Sequence, residues 1–142
     1  MNTVLDKGFK PKIIYTMIRV SHLERSATFY TKVLGMNEFR REEYPEGRFT
    51  LVFVGYGDEP SNSTIELTFN WNENEYQHGT AFDHIAIGVD DIHTACAHLT
   101  SNGISIFRAP GPMTFTAANG ACDVVAFIED PDGYKIELIE TH

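Results

Sequence analysis

Two glutamates sit at the centres of matching tripeptides, Ile65-Glu66-Leu67 and Ile136-Glu137-Leu138. Each lies in an apolar run of strand character, where a buried carboxylate is costly unless it is paired, protonated or bound to a cation. His84 and Tyr15 stand at the heads of two further apolar runs. Strand alternation fixes which of these residues share a face. In the run 13–20, Thr16, Ile18 and Val20 form the side that faces a helix, leaving Tyr15, Met17 and Arg19 to point into a concavity. Thr64, Glu66, Thr68 and Asn70 point inward from a second strand. His84, Ala86 and Gly88 do so from a third, and Lys135, Glu137 and Ile139 from a fourth. Two carboxylates and an imidazole converging inside a concave sheet form a donor set for a divalent transition metal. The small Ala86 and Gly88 leave room beside His84 for a substrate. A lone strand histidine is more commonly a hydrogen-bonded core residue, and a lone strand glutamate is more commonly solvated or ion-paired. The joint pattern is what points to a metal.

Placing these residues together requires two copies of one supersecondary unit. The run 13–20 predicts a strand, and Ser21-His22-Leu23-Glu24 has the form of a capping box with Ser21 as N-cap. A helix through Leu23, Ala27, Tyr30 and Leu34 would end at Gly35, and strands are predicted over 38–44, 49–56 and 64–70. Residues 71–80, polar apart from Trp71 and Tyr76, read as a linker. The order then repeats: a strand over 84–89, a helix capped by Asp90 or Asp91 and closed by Asn102-Gly103, and strands over 104–108, 122–129 and 135–140. Residues 110–120 read as a long loop, and Asp130-Pro131-Asp132-Gly133 as a tight turn. Tyr15 aligns with His84, Gly35 with Gly103 and Glu66 with Glu137, and the near-constant spacing means one duplication. The expected fold class is α+β, with two repeated β-α-β-β-β modules forming concave mixed sheets. The expected organisation is a loose N-terminal segment 1–12 and a single domain 13–142. Within that domain, module one is 13–70, the linker 71–80 and module two 81–142.

At 142 residues the chain is long enough for one sizeable core. Its net charge of −9, with no basic run, argues against nucleic-acid binding. No segment approaches the length of a membrane span, and residues 1–12 lack a signal peptide's apolar core. Cys96 and Cys122 have no metal-site spacing, and the expectation is two reduced thiols in a cytoplasmic protein.

Six segments carry a specific resemblance. They are Thr16-Met17-Ile18-Arg19-Val20, Phe29-Tyr30 to Leu34-Gly35-Met36, the runs 51–57 and 65–71, His84-Ile85-Ala86-Ile87, and the run 126–140. Together they resemble glyoxalase I (lactoylglutathione lyase) of the short bacterial type, within the vicinal-oxygen-chelate superfamily. The resemblance implies a glyoxalase/bleomycin-resistance-like fold, a homodimer, and isomerisation of the methylglyoxal–glutathione hemithioacetal to S-lactoylglutathione, with glutathione as co-substrate. It also implies a divalent metal, nickel for preference, with zinc or cobalt as alternatives. Glu66, His84 and Glu137 match three of the family's four metal ligands. Glu137 matches its proton-shuttling base, and Glu66 would serve the other substrate face. Arg19 and Asn70 match residues that hold glutathione's γ-glutamyl end. Three positions depart from the pattern. Tyr15 replaces a ligand histidine, and Asp83 replaces a glycine before the second ligand histidine. The loop 111–121 is longer than the family's and holds no Lys or Arg. The alternative reading is a non-catalytic or divergent binding protein of the same fold that has lost one metal ligand.

Overall fold

The computed structural model describes residues 7–141. The first half of the loose segment, 1–6, lies outside the described residues, and 7–14 hold no strand or helix. Two four-stranded mixed sheets follow, in the orders β1-β4-β3-β2 and β5-β8-β7-β6. The first contains β1 (Tyr15–Arg19), β2 (Asn37–Tyr44), β3 (Phe49–Gly55) and β4 (Thr64–Asn70). The second contains β5 (His84–Val89), β6 (Arg108–Pro112), β7 (Val124–Glu129) and β8 (Lys135–Glu140). In both, the first strand runs parallel to the last and the other pairs are antiparallel. The fold is α+β, with the same strand order in each half.

Helix α1 (Leu23–Thr28) continues into a π-helical turn, Phe29–Val33, and α2 spans Ile92–Ser101. Both helical stretches are followed by a glycine in the left-handed region, Gly35 and Gly103, each at φ +78°. A side chain there would be strained, which explains why the repeat has glycine at both positions. Asp91 caps α2 as expected, accepting from the backbone N–H groups of His93 and Thr94 at 3.0 Å each. The helix-facing sides of the sheets supply Val20, Leu67, Val52, Ile128, Ile136 and Leu138, all essentially fully buried. They join Tyr30 of the π-turn and Ile92 and Leu99 of α2 in one core shared by both halves.

The structure corrects several local expectations. Strand β1 begins only at Tyr15, because Ile13 and Ile14 lie exposed ahead of it. Thr16, expected under a helix, is exposed too. The capping box does not form: His22 is the N-cap and makes no side-chain cap bond. Ser21 instead donates its hydroxyl to Asp132, and Glu24 pairs with Arg41. The strand expected over 104–108 is displaced to Arg108–Pro112, inside what reads as loop. It is an edge strand with a register shift between Arg108 and Gly111, a place where two prolines without N–H groups are tolerated.

The Asp130–Gly133 turn binds the halves to each other. Tyr30 Oη donates to Asp130 Oδ2 at 2.6 Å, while the N–H groups of Asp132 and Tyr134 donate to Asp130 Oδ1 at 2.8 and 2.9 Å. Ser26 donates to Asp132 Oδ2 at 3.1 Å, and Tyr134 Oη donates to the Arg19 carbonyl at 2.7 Å. Burial pushes the Asp130 carboxyl above the usual aspartate range, opposed by the Tyr30 hydroxyl and the two backbone donors. A raised folded value means that this group favours the native state most in acid and loses that contribution as pH rises through it.

Tyr30→Phe should therefore cost about 2 kcal/mol at neutral pH, the range for a bond to a buried charged acceptor. Because the hydroxyl stabilises the charged carboxylate, the loss should shrink as pH falls through the folded Asp130 value. Urea unfolding of both proteins across that range checks this, and a pH-independent difference would refute it.

Candidate active site

The two halves place their polar face residues in the same register. Tyr15 pairs with Thr64 across β1–β4, two residues before Glu66, and His84 pairs with Lys135 across β5–β8, two before Glu137. Glu66 and Glu137 in turn face Phe53 and Phe127 on β3 and β7. The aromatic packing repeats as well. The Tyr15 ring meets Phe53 edge-on at 5.4 Å and 79°, and the His84 ring meets Phe127 at 5.4 Å and 89°. Tyr15 is thus the geometric twin of His84, as the offsets in sequence predict.

The twins differ in what they reach. His84 Nε2 lies 3.0 Å from Glu137 Oε1, and its Nδ1 lies 2.5 Å from Asp83 Oδ2. That contact holds the Asp83 carboxyl below its usual range, the His84 hydrogen bond being the main cause. Glu66 is buried, and its Oε2 accepts from Thr68 Oγ1 at 2.7 Å. Tyr15 is 41% exposed and leans on Phe53, and the Arg40 guanidinium lies over the same ring at 3.6 Å. Arg40 is held there by Glu59 at 2.8 Å and Glu42 at 2.5 Å.

One chain therefore brings His84 to Glu137, and Tyr15 beside Glu66, but does not bring the two pairs together. Among the described residues no group of three or more His, Cys, Asp or Glu side chains is disposed to hold a metal ion. The donors of each half still suit a divalent ion. An imidazole nitrogen and a carboxylate oxygen face each other in one half, and the other presents a carboxylate with a single hydroxyl donor.

Arg19 and Asn70 converge on the linker. Asn70 Nδ2 donates to Tyr76 Oη at 3.1 Å, and Tyr76 and Arg19 line a cavity of about 270 Å³ with His78, Phe82 and Tyr134. His78 stacks on Tyr134 at 4.2 Å. Tyr76 lies in the run that reads as linker, and the signal in the sequence is an aromatic ring in an otherwise polar stretch. A larger cavity of about 530 Å³, lined by Thr16, Tyr56, Thr64, Phe82, His84 and Gly88, opens between β5 and the loop before β4. It touches neither glutamate. The loop 113–123 carries Phe115 at 81% exposure, and its arms are joined from Met113 N–H to the Asp123 carbonyl at 2.9 Å. No helix among the described residues is long and apolar enough to cross a membrane.

This duplicated fold, with a glutamate at the centre of the last strand of each sheet and a histidine beside one of them, defines a recognised class. Residues 12–138 match the family model for the Glyoxalase/Bleomycin resistance protein/Dioxygenase superfamily, and the chain belongs to that superfamily. A probable lactoylglutathione lyase of Synechocystis sp. is 50% identical over 129 residues, spanning 91% of this chain and 95% of its own. Among solved structures, glyoxalase I from Zea mays superposes with a TM-score of 0.83 at 37% identity, covering 92% of this chain. The chain spans only 44% of the maize protein's length. Leishmania major glyoxalase I, described as trypanothione-dependent, superposes at 0.77 with 40% identity, covering 92% of this chain and 87% of its own.

Proposed function

We propose that this chain is a lactoylglutathione lyase, isomerising the hemithioacetal of methylglyoxal and glutathione to S-lactoylglutathione and so detoxifying methylglyoxal. The observation that carries the reading is the pairing of His84 Nε2 with Glu137 Oε1 at 3.0 Å, in register with buried Glu66, in a chain half identical to a lactoylglutathione lyase. Glu66, His84 and Glu137 would hold a divalent metal, with Tyr15 at the fourth position. Nickel is the preferred ion, and zinc or cobalt suits the same donors. A bound ion would supply Lewis-acid charge where substrate oxygens become negative as a carbon-bound proton leaves. Glu137 takes that proton from C1 onto a carboxylate oxygen and returns it to C2, so no net proton or electron is exchanged. Arg19 and Asn70 hold the γ-glutamyl end by charge and by amide hydrogen bonding. The free thiols, Cys96 buried and Cys122 exposed, support a cytoplasmic location.

The site is assembled between two copies of the chain, with Tyr15 and Glu66 of one facing His84 and Glu137 of the other. Two observations support this: the pairs do not meet within one chain, and Tyr15 and Met17 remain about two-fifths exposed on the open face. Sedimentation at micromolar concentration should show a particle of twice the 16.0 kDa chain mass. A population of single chains only would sink the shared site.

Glu137→Gln should lower kcat by about 10²–10⁴, the usual worth of a positioned general base. Product-analogue binding and urea stability should survive. Equal turnover by the two proteins would remove Glu137 from the base role.

Tyr15 favours the second reading, a protein that binds without turnover, because a phenol neutral in water is a poor metal donor. Tyr15→His places an imidazole, smaller than the phenol, where the repeat already holds one. Titration of nickel into metal-free protein should show binding tighter by about tenfold or more, about 1.4 kcal/mol, together with higher lyase activity. Tighter binding by the unsubstituted protein would instead make Tyr15 itself a ligand.

A further inference from the structure

We propose that Asp83 is a positioning residue: it accepts a hydrogen bond from the Nδ1–H of His84 and thereby presents the Nε2 lone pair to the site shared with Glu137. This rests on the reading of His84 as a metal ligand. The geometry is specific. Asp83 Oδ2 lies 2.5 Å from Nδ1 and Glu137 Oε1 lies 3.0 Å from Nε2, so the ring is held between two carboxylates.

A neutral imidazole carries one N–H, and its location is set by what each nitrogen meets. An ionised carboxylate only accepts, so Asp83 and Glu137 compete for the same proton, and the shorter contact, 2.5 Å to Asp83 against 3.0 Å to Glu137, favours Nδ1–H even without a metal. A cation bound by Nε2 and Glu137 ends that competition. The proton then stays on Nδ1, donated to Asp83, and the lone pairs of Nε2 and of the Glu137 carboxylate serve the ion. Ligand histidines are commonly oriented by an acceptor on the second nitrogen, at a cost of 10–100-fold in metal affinity when it is lost.

The setting of Asp83 favours a role at the ring over one in the fold. Its side chain is 68% exposed, it directly precedes β5, and its hydrogen bond is to His84. In water such a bond between exposed groups is worth little by itself. Its effect is therefore read in the ring's tautomer and in metal affinity rather than in stability. The exposure puts the expected loss at the lower end, about tenfold.

The experiment compares the unsubstituted protein with Asp83→Gly and Asp83→Asn. ¹⁵N NMR of metal-free protein at mildly alkaline pH reads which His84 nitrogen carries the proton. Calorimetric titration then gives the affinity for nickel ion. The expected result is an Nδ1–H tautomer in the unsubstituted protein and in Asp83→Asn, which keeps an acceptor oxygen. Asp83→Gly should lose that tautomer and bind nickel about tenfold more weakly. Retention of the Nδ1–H tautomer in Asp83→Gly overturns the proposal. So does equal nickel affinity in Asp83→Gly and the unsubstituted protein, and in either case the metal reading stands. Failure of all three proteins to bind nickel, zinc or cobalt overturns the metal reading, and the proposal with it.

Discussion

Two buried acidic side chains, Asp130 and Asp132, hold the halves of this molecule to each other. A carboxylate removed from water must find donors, and the turn's own backbone supplies only part of what these two need. The rest comes from the other half. Tyr30 reaches Asp130, while Ser21 and Ser26 reach Asp132, with Arg25 3.5 Å away at the rim. This turn leads directly into β8, the strand that carries Glu137. The first helix is thereby fixed over the approach to that strand, and the next residue pair, Tyr134 to the Arg19 carbonyl, ties the end of β1 to the same turn. Hydrophobic contact between the sheets is non-directional and would tolerate sliding. The hydrogen bonds to Asp130 and Asp132 would not, because a shift strands a buried charge.

The same duplication that gives the fold its symmetry shows where symmetry has been given up. Tyr15 and His84 hold equivalent places against equivalent phenylalanines, so the backbone and the aromatic shelf have stayed the same in both halves. The side-chain chemistry and its support have changed. His84 has a carboxylate on each nitrogen, while Tyr15 packs edge-on with a ring that also carries Arg40. Arg40 is paired with Glu42 and Glu59, so the first half's aromatic shelf carries a cation whose charge is offset locally.

The sequence made the paired sheets legible because period-two alternation and turn residues are local signals. Glu66, His84 and Glu137 were visible for a related reason: a charged or polar residue in a buried-strand pattern contradicts its surroundings. Other features depend on contacts distant in sequence. Ser21 and Glu24 satisfy a capping-box pattern, but Asp132 is 111 residues from Ser21 and takes its hydroxyl instead. Strand β6 was hidden by Pro110 and Pro112, which read as loop unless the edge position is known. Tyr76 and Asp83 carry no periodic signal for a different reason: their contacts, with Asn70 and His84, are near in sequence but lie outside any strand or helix repeat.

The chain's net charge of −9 sharpens the problem of bringing acidic faces together. On the proposed assembly, Glu66 of one copy approaches Glu137 of the other. Two like charges about 4 Å apart repel by roughly 4 kcal/mol at the effective dielectric near a protein surface. His84, when neutral, offsets none of that. A divalent cation turns the repulsion into attraction toward a shared centre, so it binds the joined faces better than either face alone. Anything that binds one state selectively stabilises that state by mass action. Assembly and cation uptake are then two descriptions of one equilibrium. On that proposal, apolar contact from Tyr15 and Met17 would supply the part of it that needs no metal, and the two glutamates the part that does.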